Sequence, residues 1–370
     1  MGSERQNIRD IEHKYLEKEN SSTLKYGLNI DITLEDFNLK SLNIDEQSVE
    51  WNLELPENVK SSFIQKSDLD EKFLKRRTQN RFDKVHEENK KRILKISIPD
   101  NTTLKKPIII NTKTIKSQSI SHIFVEIGRN VKLSIIETLE DTTSEKGYNS
   151  EFIDLKLGKN SWVEYYHIQK LAKQKINYSR KSGLTSENAT INWTEFFLGS
   201  EVTISDTRTL LEGNKSSTNI KSLFFADEKQ QFDIINQGIH IGSETTADLK
   251  GKGVVKDHSK ALYRGNIHIE QSAPNSEGYQ KANLLMLDNE AVADAIPQLL
   301  IDNNEVKCSH GVTVGRVDEE DLFYLMTRGI DSEEAKRQII KGFFEPAINN
   351  ISIKKLADNI RKEIILKMRK

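Results

Sequence analysis

Cysteine is nearly absent: Cys308 is the only one in 370 residues. One thiol excludes an intramolecular disulfide and any four-cysteine zinc or cluster site. A metal handled by this chain therefore needs mixed ligands, or ligands shared with a second chain. The lack of disulfides points to a reducing cytoplasm. Long apolar runs are missing too; none approaches the ~18–20 residues of a helical membrane span, so no membrane crossing is expected. Excess charge of one sign is absent, with 55 Lys+Arg against 56 Asp+Glu and a net charge of -1. Such a balance supplies no global field for nucleic acid or an anionic membrane. There is no Gly-x-x-x-x-Gly-Lys-Ser/Thr loop, so the chain is not expected to be a P-loop ATPase itself. Residues 1–5 carry no apolar segment of a secretory leader.

What is present is a well-solvated globular composition, 36% hydrophobic and 30% charged, long enough for one large domain or two. Three regions differ in texture. Residues 1–92 are mixed. Ile8 to Glu19 reads as a short charged helix, Leu24 to Trp51 as irregular chain. Pro56 opens a long helical stretch toward Arg92, with a break at Ser67-Asp68. From 93 to 317, short alternating runs rich in β-branched and aromatic residues follow one another. Examples are Ile93–Ile98, His122–Ile127, Val131–Ile136, Trp162–Ile168, Ile191–Phe197 and Gly265–Ile269. No helical pattern interrupts them, which argues against α/β winding and for a mainly β sandwich, barrel, propeller or solenoid. Turns at Gly128, Gly158, Gly199, Gly213, Gly242 and Gly251 suit a solenoid, but the repeat alone does not prove one.

From 318 to 370 the chain turns helical. Asp318-Glu319-Glu320-Asp321 leads Leu322-Phe323-Tyr324-Leu325-Met326, and Gly329 stops that helix. Asp331 or Ser332 caps the next, Pro346 follows it, and Ser352 caps a last helix with a basic end. Leu322, Phe323, Tyr324 and Leu325, with Ile339, Ile340, Phe343 and Phe344, form two apolar stripes whose default role is core packing.

The chemistry-bearing candidates are Cys308 and His310, within Lys307-Cys308-Ser309-His310-Gly311. In a strand, positions two apart share a face, roughly 7 Å from each other. Thiolate and imidazole both suit iron or zinc. Spacing alone favours a buried cysteine beside a solvated histidine. Lys307 would lower the thiol's pKa if the two side chains met, though neighbours in a strand point to opposite faces. His240 and His268 lie opposite their flanking isoleucines and read as structural. His258 reads as a turn residue, and His122 and His167 carry no supporting constellation. No paired-carboxylate site is evident.

A longer series of residues carries a family resemblance. Upstream stand Asp233, His240, Ser243, Lys250-Gly251-Lys252-Gly253-Val254-Val255, Asp257, Ser259, Tyr263 and Gly265. Then come Leu284-Leu285-Met286-Leu287, Pro297-Gln298-Leu299-Leu300-Ile301, and Val306 to Gly315. Asp318 to Leu325, Arg328-Gly329-Ile330, Ala335 and Gly342-Phe343-Phe344 complete the block. In this order they closely resemble the SufB/SufD family of iron–sulfur cluster assembly proteins, most strongly over 231–347 and diffusely over 93–230. The Lys-Cys-Ser-His-Gly run looks like the SufD form. A SufB-type cysteine cluster is absent. So is the tryptophan motif expected near a SufD N-terminus, Trp51 being isolated.

The resemblance implies a right-handed parallel β-helix core flanked by helical N- and C-terminal regions. It implies a non-enzymatic scaffold that works with a SufB-like partner, or pairs with itself, through the β-helix. It also implies docking of a separate SufC-type ABC ATPase on the C-terminal helices, with Leu322, Phe323, Tyr324, Arg328, Gly329 and Phe343 as contact residues. Cys308 and His310 would serve iron or a transient iron–sulfur cluster, with no tightly bound cofactor. Two other readings differ in class. A β-helical carbohydrate-active enzyme needs a carboxylate pair that the sequence does not display. A cysteine hydrolase needs Cys308 and His310 in contact near ~3 Å, which spacing of two along a strand makes awkward.

Overall fold

The computed structural model describes residues 44–45, 47–69, 80–90 and 92–368, with two short strands at 23–26 and 30–33. Those two, β1 (Thr23–Tyr26) and β2 (Ile30–Thr33), pair antiparallel. Two nine-stranded sheets form the body. The first holds β3 (Val49–Glu54), β6 (Ile108–Thr114), β8 (Lys132–Asp141), β10 (Trp162–Lys170) and β12 (Thr190–Phe197). It continues through β14 (Ser217–Ala226), β16 (Thr246–Val255), β18 (Ser276–Met286) and β20 (Val306–Arg316). The second holds β4 (Lys60–Gln65), β5 (Arg92–Ile98), β7 (Gln118–Ile127), β9 (Gly147–Leu157) and β11 (Lys175–Thr185). It continues through β13 (Val202–Leu211), β15 (Gln231–His240), β17 (Lys260–Ile269) and β19 (Val292–Ile301).

From β5 onward the chain alternates between the sheets, and strands two apart in sequence pair in parallel. This is a mainly β solenoid of stacked coils. Every second side chain points into the lumen, where Leu133, Val163 and Ile191 stack in register. Burying such a side chain is worth about 1.5–3 kcal/mol, and the stack repeats coil after coil. At one corner the chain turns through a left-handed residue at each coil: Asn101, Asn130, Asn160 and Asn188, with φ of 59°, 56°, 60° and 55°. Asparagine tolerates that region. The side-chain amides of Asn130, Asn160 and Asn188 each donate to the asparagine one coil below, at 2.8 Å, 3.0 Å and 3.0 Å.

The two ends differ. At the start, β3 and β4 pair antiparallel with β6 and β5 and cover the first coil. The first part of the stretch from Pro56 expected as helix is instead strand: Lys60–Gln65 pairs with β5, followed by a 3-10 turn at Lys66–Asp68. Pairing with an open sheet edge satisfies six residues of backbone and overrides a weak helical periodicity. Among the described residues of that stretch, α-helix appears in α1 (Arg81–Asn89), capped by Asn80. The segment read as irregular contains β1, β2 and part of β3. The helix expected at Ile8 to Glu19 lies outside the described residues.

At the other end, α2 (Glu319–Thr327), α3 (Ser332–Ile348) and α4 (Lys354–Met368) follow the last strand. Ile340, Phe344, Ile348, Leu356, Ile360 and Ile364 pack on the outer face of the first sheet, against Tyr166, Ile168, Phe196, Leu223, Phe225 and Val254. Asp331 caps α3 through the Glu334 N–H. Pro346 lies inside α3 rather than after it. Ser352 does not cap α4; its hydroxyl donates to Glu164 at 2.6 Å and meets Tyr166 Oη at 3.1 Å, fixing the helix to β10. Among the described residues, no helix is long and apolar enough to cross a membrane.

Candidate functional site

Cys308 and His310 both sit on β20, the last strand of its sheet. The register puts Cys308 opposite Gly278 and His310 opposite Gln280, on the lumen side of β18. Cys308 is half-buried against the lumen core, whereas His310 is exposed at the mouth. Desolvation pushes the Cys308 thiol above its ordinary value, partly offset by the Gly278 backbone N–H. Lys307 points away and pairs with Glu277 at 3.2 Å, as alternation requires. One soft donor and one imidazole thus stand at an open rim, leaving other coordination positions to sulfide, water or a second chain. Among the described residues, the outer edge of β20 carries no strand partner, and neither does that of β19. Ile301, Val312 and Val314 are exposed there. Unpaired backbone beside apolar side chains is a ready template for another chain.

The C-terminal helices split into two kinds. Helix α2 buries no residue: Phe323, Tyr324 and Met326 are 68%, 57% and 45% exposed. Leu322 is half-buried. The default expectation of core packing thus fails for Phe323 and Tyr324, because α2 projects beyond the packed α3–α4 layer. Arg328 stacks over Tyr324, with its guanidinium carbon 5.2 Å from the ring centroid, and donates to Tyr324 Oη at 3.1 Å. Gly329 ends the helix at φ 84°, where a side chain would be strained. Phe343 lies half-buried against Phe344, with the Lys252 ammonium 4.3 Å from its ring centroid.

The lumen also holds a polar section that the sequence did not reveal. Glu137, His167 and Glu195 are register neighbours on β8, β10 and β12 and are fully buried. Glu151 and Lys181 face them from β9 and β11. His167 Nδ1 bonds Glu137, and its Nε2 lies 3.7 Å from Glu151. Lys181 pairs with Glu195 at 3.0 Å. Thr207 and Ser222 donate to Glu195 at 2.6 Å and 2.7 Å, and Ser179 donates to Glu151 at 3.0 Å. Burial raises Glu137 and Glu151 to about 7, and the neighbouring Glu137 charge adds to the rise at Glu151. Burial, then the Lys181 charge, lowers His167 to about 4. Burial would raise Glu195 as well, but Lys181 and the two hydroxyls outweigh it and hold it below its ordinary value.

The model of the SUF system FeS cluster assembly, SufBD core domain, matches residues 108–343, well over half of the chain. This chain belongs to the SufBD family. It is 33% identical over 203 residues to an iron-sulfur cluster assembly SufBD family protein of Staphylococcus saprophyticus, covering 55% of this chain and 44% of that one. A Staphylococcus epidermidis protein of the same description is 29% identical over 255 residues, 68% of this chain and 55% of that one. One from Staphylococcus aureus is 32% identical over 198 residues, 54% and 43%. The chain spans about half the length of the curated relatives it matches. These matches bear out the expected family.

Within this SufBD chain, the histidines separate by position. His268 is on the outer face and meets Asp302 at 3.2 Å. His240 is buried in the lumen and bonds Thr245 Oγ1 at 2.8 Å, with the isoleucines on the other face as expected. His122 and His167 do have constellations: His122 meets Asp154 at 2.9 Å, and His167 lies between two glutamates. Glu137 lies a coil away, 30 residues before His167, and Glu151 comes from the opposite sheet, so only the coil repeat could have aligned them. Gly251, read as a turn, lies within β16, where a Cβ would stand 2.5 Å from the Tyr263 ring.

Proposed function

We propose that this chain is a SufD-like scaffold subunit, itself without catalytic activity, that handles iron or a nascent iron–sulfur cluster as cargo. The observation that carries this reading is the placement of Cys308 and His310 together on the open lumen rim of the terminal strand. A second β-solenoid chain, SufB-like or a copy of this one, pairs along the free edges of β19 and β20 and completes the coordination. The exposed Phe323-Tyr324 face of α2, with Leu322, Arg328 and Gly329 beside it and Phe343 on α3, docks a SufC-type ABC ATPase. ATP-driven movement of that partner strains the rim and opens Cys308 and His310 to iron. The setting is the cytoplasm.

Anaerobic pull-down of the tagged chain from its own cells, with mass spectrometry, tests the partners. Recovery of an ABC-type ATPase at near-stoichiometric yield supports docking; its absence with and without nucleotide overturns it. For the site, Cys308→Ala and His310→Ala chains that support cluster assembly at the wild-type rate would falsify the assignment.

A further inference from the structure

The lumen cluster at Glu137, Glu151 and His167 lies five strands of its sheet away from Cys308, between β10 and β20. All three residues are fully buried. One ligand atom from each lies within 4.8 Å of the others. Among the described residues, Glu137 Oε1, Glu151 Oε1 and His167 Nε2 have no hydrogen-bond partner. Buried polar atoms are nearly always paired; Glu137 also interacts with Glu151 and Thr112, and one unpaired atom on each of three clustered residues leaves a place for a common partner.

Charge points the same way. When ionised, Glu137, Glu151 and Glu195 carry three negative charges, and Lys181 contributes one positive. Lys181 is committed to Glu195, Ser179 and Ser205. Ionised together, the two glutamates around His167 would carry the surplus of negative charge where it cannot be solvated; burial holds them toward the protonated form, and a bound cation would take the place of those protons. The donor set is one imidazole and two carboxylates. An ion held by His167 and Glu137 together takes the place of their present hydrogen bond at Nδ1, because Nε2 points to the opposite side of the ring.

We propose that Glu137, Glu151 and His167 form a buried site for a first-row divalent cation inside the solenoid, separate from Cys308 and His310. Nitrogen and oxygen donors suit Mn²⁺, Fe²⁺, Co²⁺ or Zn²⁺. Metal–ligand bonds near ~2.1 Å require the three groups to close by about an ångström, which carboxylate rotation supplies. The bound ion neutralises the surplus charge and ties β8, β9 and β10 across the lumen. Walled in by the sheets, it exchanges slowly.

The test is Co²⁺ content of the full-length chain, produced with Co²⁺ in the medium and washed with EDTA. The wild type should keep about one Co²⁺ per chain, with weak visible bands and no thiolate-to-cobalt charge transfer. A Cys308→Ser/His310→Ala chain should keep the same amount. A Glu137→Gln/Glu151→Gln chain should lose at least about tenfold. Should the double variant not fold, Glu151→Gln alone and the wild-type spectrum decide. Wild type without Co²⁺ after the wash, equal retention in the glutamine variants, or loss of the Co²⁺ from the Cys308→Ser/His310→Ala chain, each overturns the proposal.

Discussion

Gly278 lies directly opposite Cys308 in the register of β18 and β20, and a Cβ built on it would stand 3.4 Å from Cys308 Sγ. The same Cβ would come to 2.8 Å from Ile267 Cγ2. The glycine thus keeps room beside the only thiol. The thiol is half-desolvated and its pKa is raised. Because the thiolate is the nucleophile, Cys308 should alkylate with iodoacetamide more slowly at pH 7 than a small free thiol. Its rate should still be rising above pH 9. Lys307→Ala should leave the profile unchanged, because Lys307 faces Glu277 instead. A midpoint below the ordinary cysteine value would contradict this account of the site.

His240 gives a pH dependence with a defined sign. Burial holds its folded-state pKa down to about 4, with the His268 charge adding to the effect. Between the ordinary value of 6.5 and about 4, the unfolded chain binds a proton that the folded chain refuses. Stability therefore falls as pH falls through that window, with a slope of up to about 1.4 kcal/mol per pH unit from one such group. His167 acts in the same direction and Glu137 and Glu151 in the opposite one, so the difference between variants is the clean reading. Urea denaturation of wild type and His240→Gln from pH 7 to pH 4 should show the variant losing less stability on acidification. Parallel curves would show that His240 is not held neutral.

Much of the fold was legible because half-buried strands alternate. Trp162–Ile168 and Ile191–Phe197 read as strands and are parts of β10 and β12. β11 hid itself: Lys-Ile-Asn-Tyr-Ser-Arg-Lys-Ser-Gly-Leu-Thr is buried at every position. Its lumen face carries Ser179 and Lys181 for the polar cluster. Its outer face puts Tyr178 and Arg180 under α1, against Asp83 at 2.8 Å each. Hydrophobicity cannot mark a strand that is polar on both buried faces. Cys308 and His310 were legible because they are adjacent on one strand. The Glu137–Glu151–His167 cluster was not, because its members come from three strands.

One available signal was the asparagine spacing. Asn101, Asn130, Asn160 and Asn188 mark successive coils, and two of them bond on both sides of the stack. Asn130→Ala should destabilise by about 1–2 kcal/mol from the left-handed backbone alone, plus the ladder bonds. Asn130→Gly keeps the backbone and loses only the bonds, so it should cost less. Chemical denaturation of both variants tests the order; equal losses would mean that the turn conformation contributes nothing.

The exposed face of α2 and the buried face of α3 should respond oppositely. Phe323 touches no core and Phe344 is 1% exposed within the α3–α4 layer. Phe323→Ala should change stability by no more than about 0.5 kcal/mol, yet weaken capture of the ABC-type ATPase. Phe344→Ala should cost about 3–5 kcal/mol. Thermal melts and pull-downs on the same preparations separate the two. A destabilised Phe323→Ala chain would return that ring to the core and remove the docking face.

The Lys181–Glu195 pair, at 3.0 Å with neither side chain exposed, is the severest electrostatic commitment in the lumen. Removing one charge strands the other in a medium that cannot solvate it. Lys181→Met leaves Glu195 with only Thr207 and Ser222 as donors and should cost about 3–5 kcal/mol. Adding Glu195→Gln removes the stranded charge and should recover a large part of that loss, because a neutral amide can still bond the two hydroxyls. The double variant should therefore be more stable than Lys181→Met alone in urea denaturation. If the two substitutions simply added, the cost would lie in lost packing around the lysine stem and not in an uncompensated carboxylate.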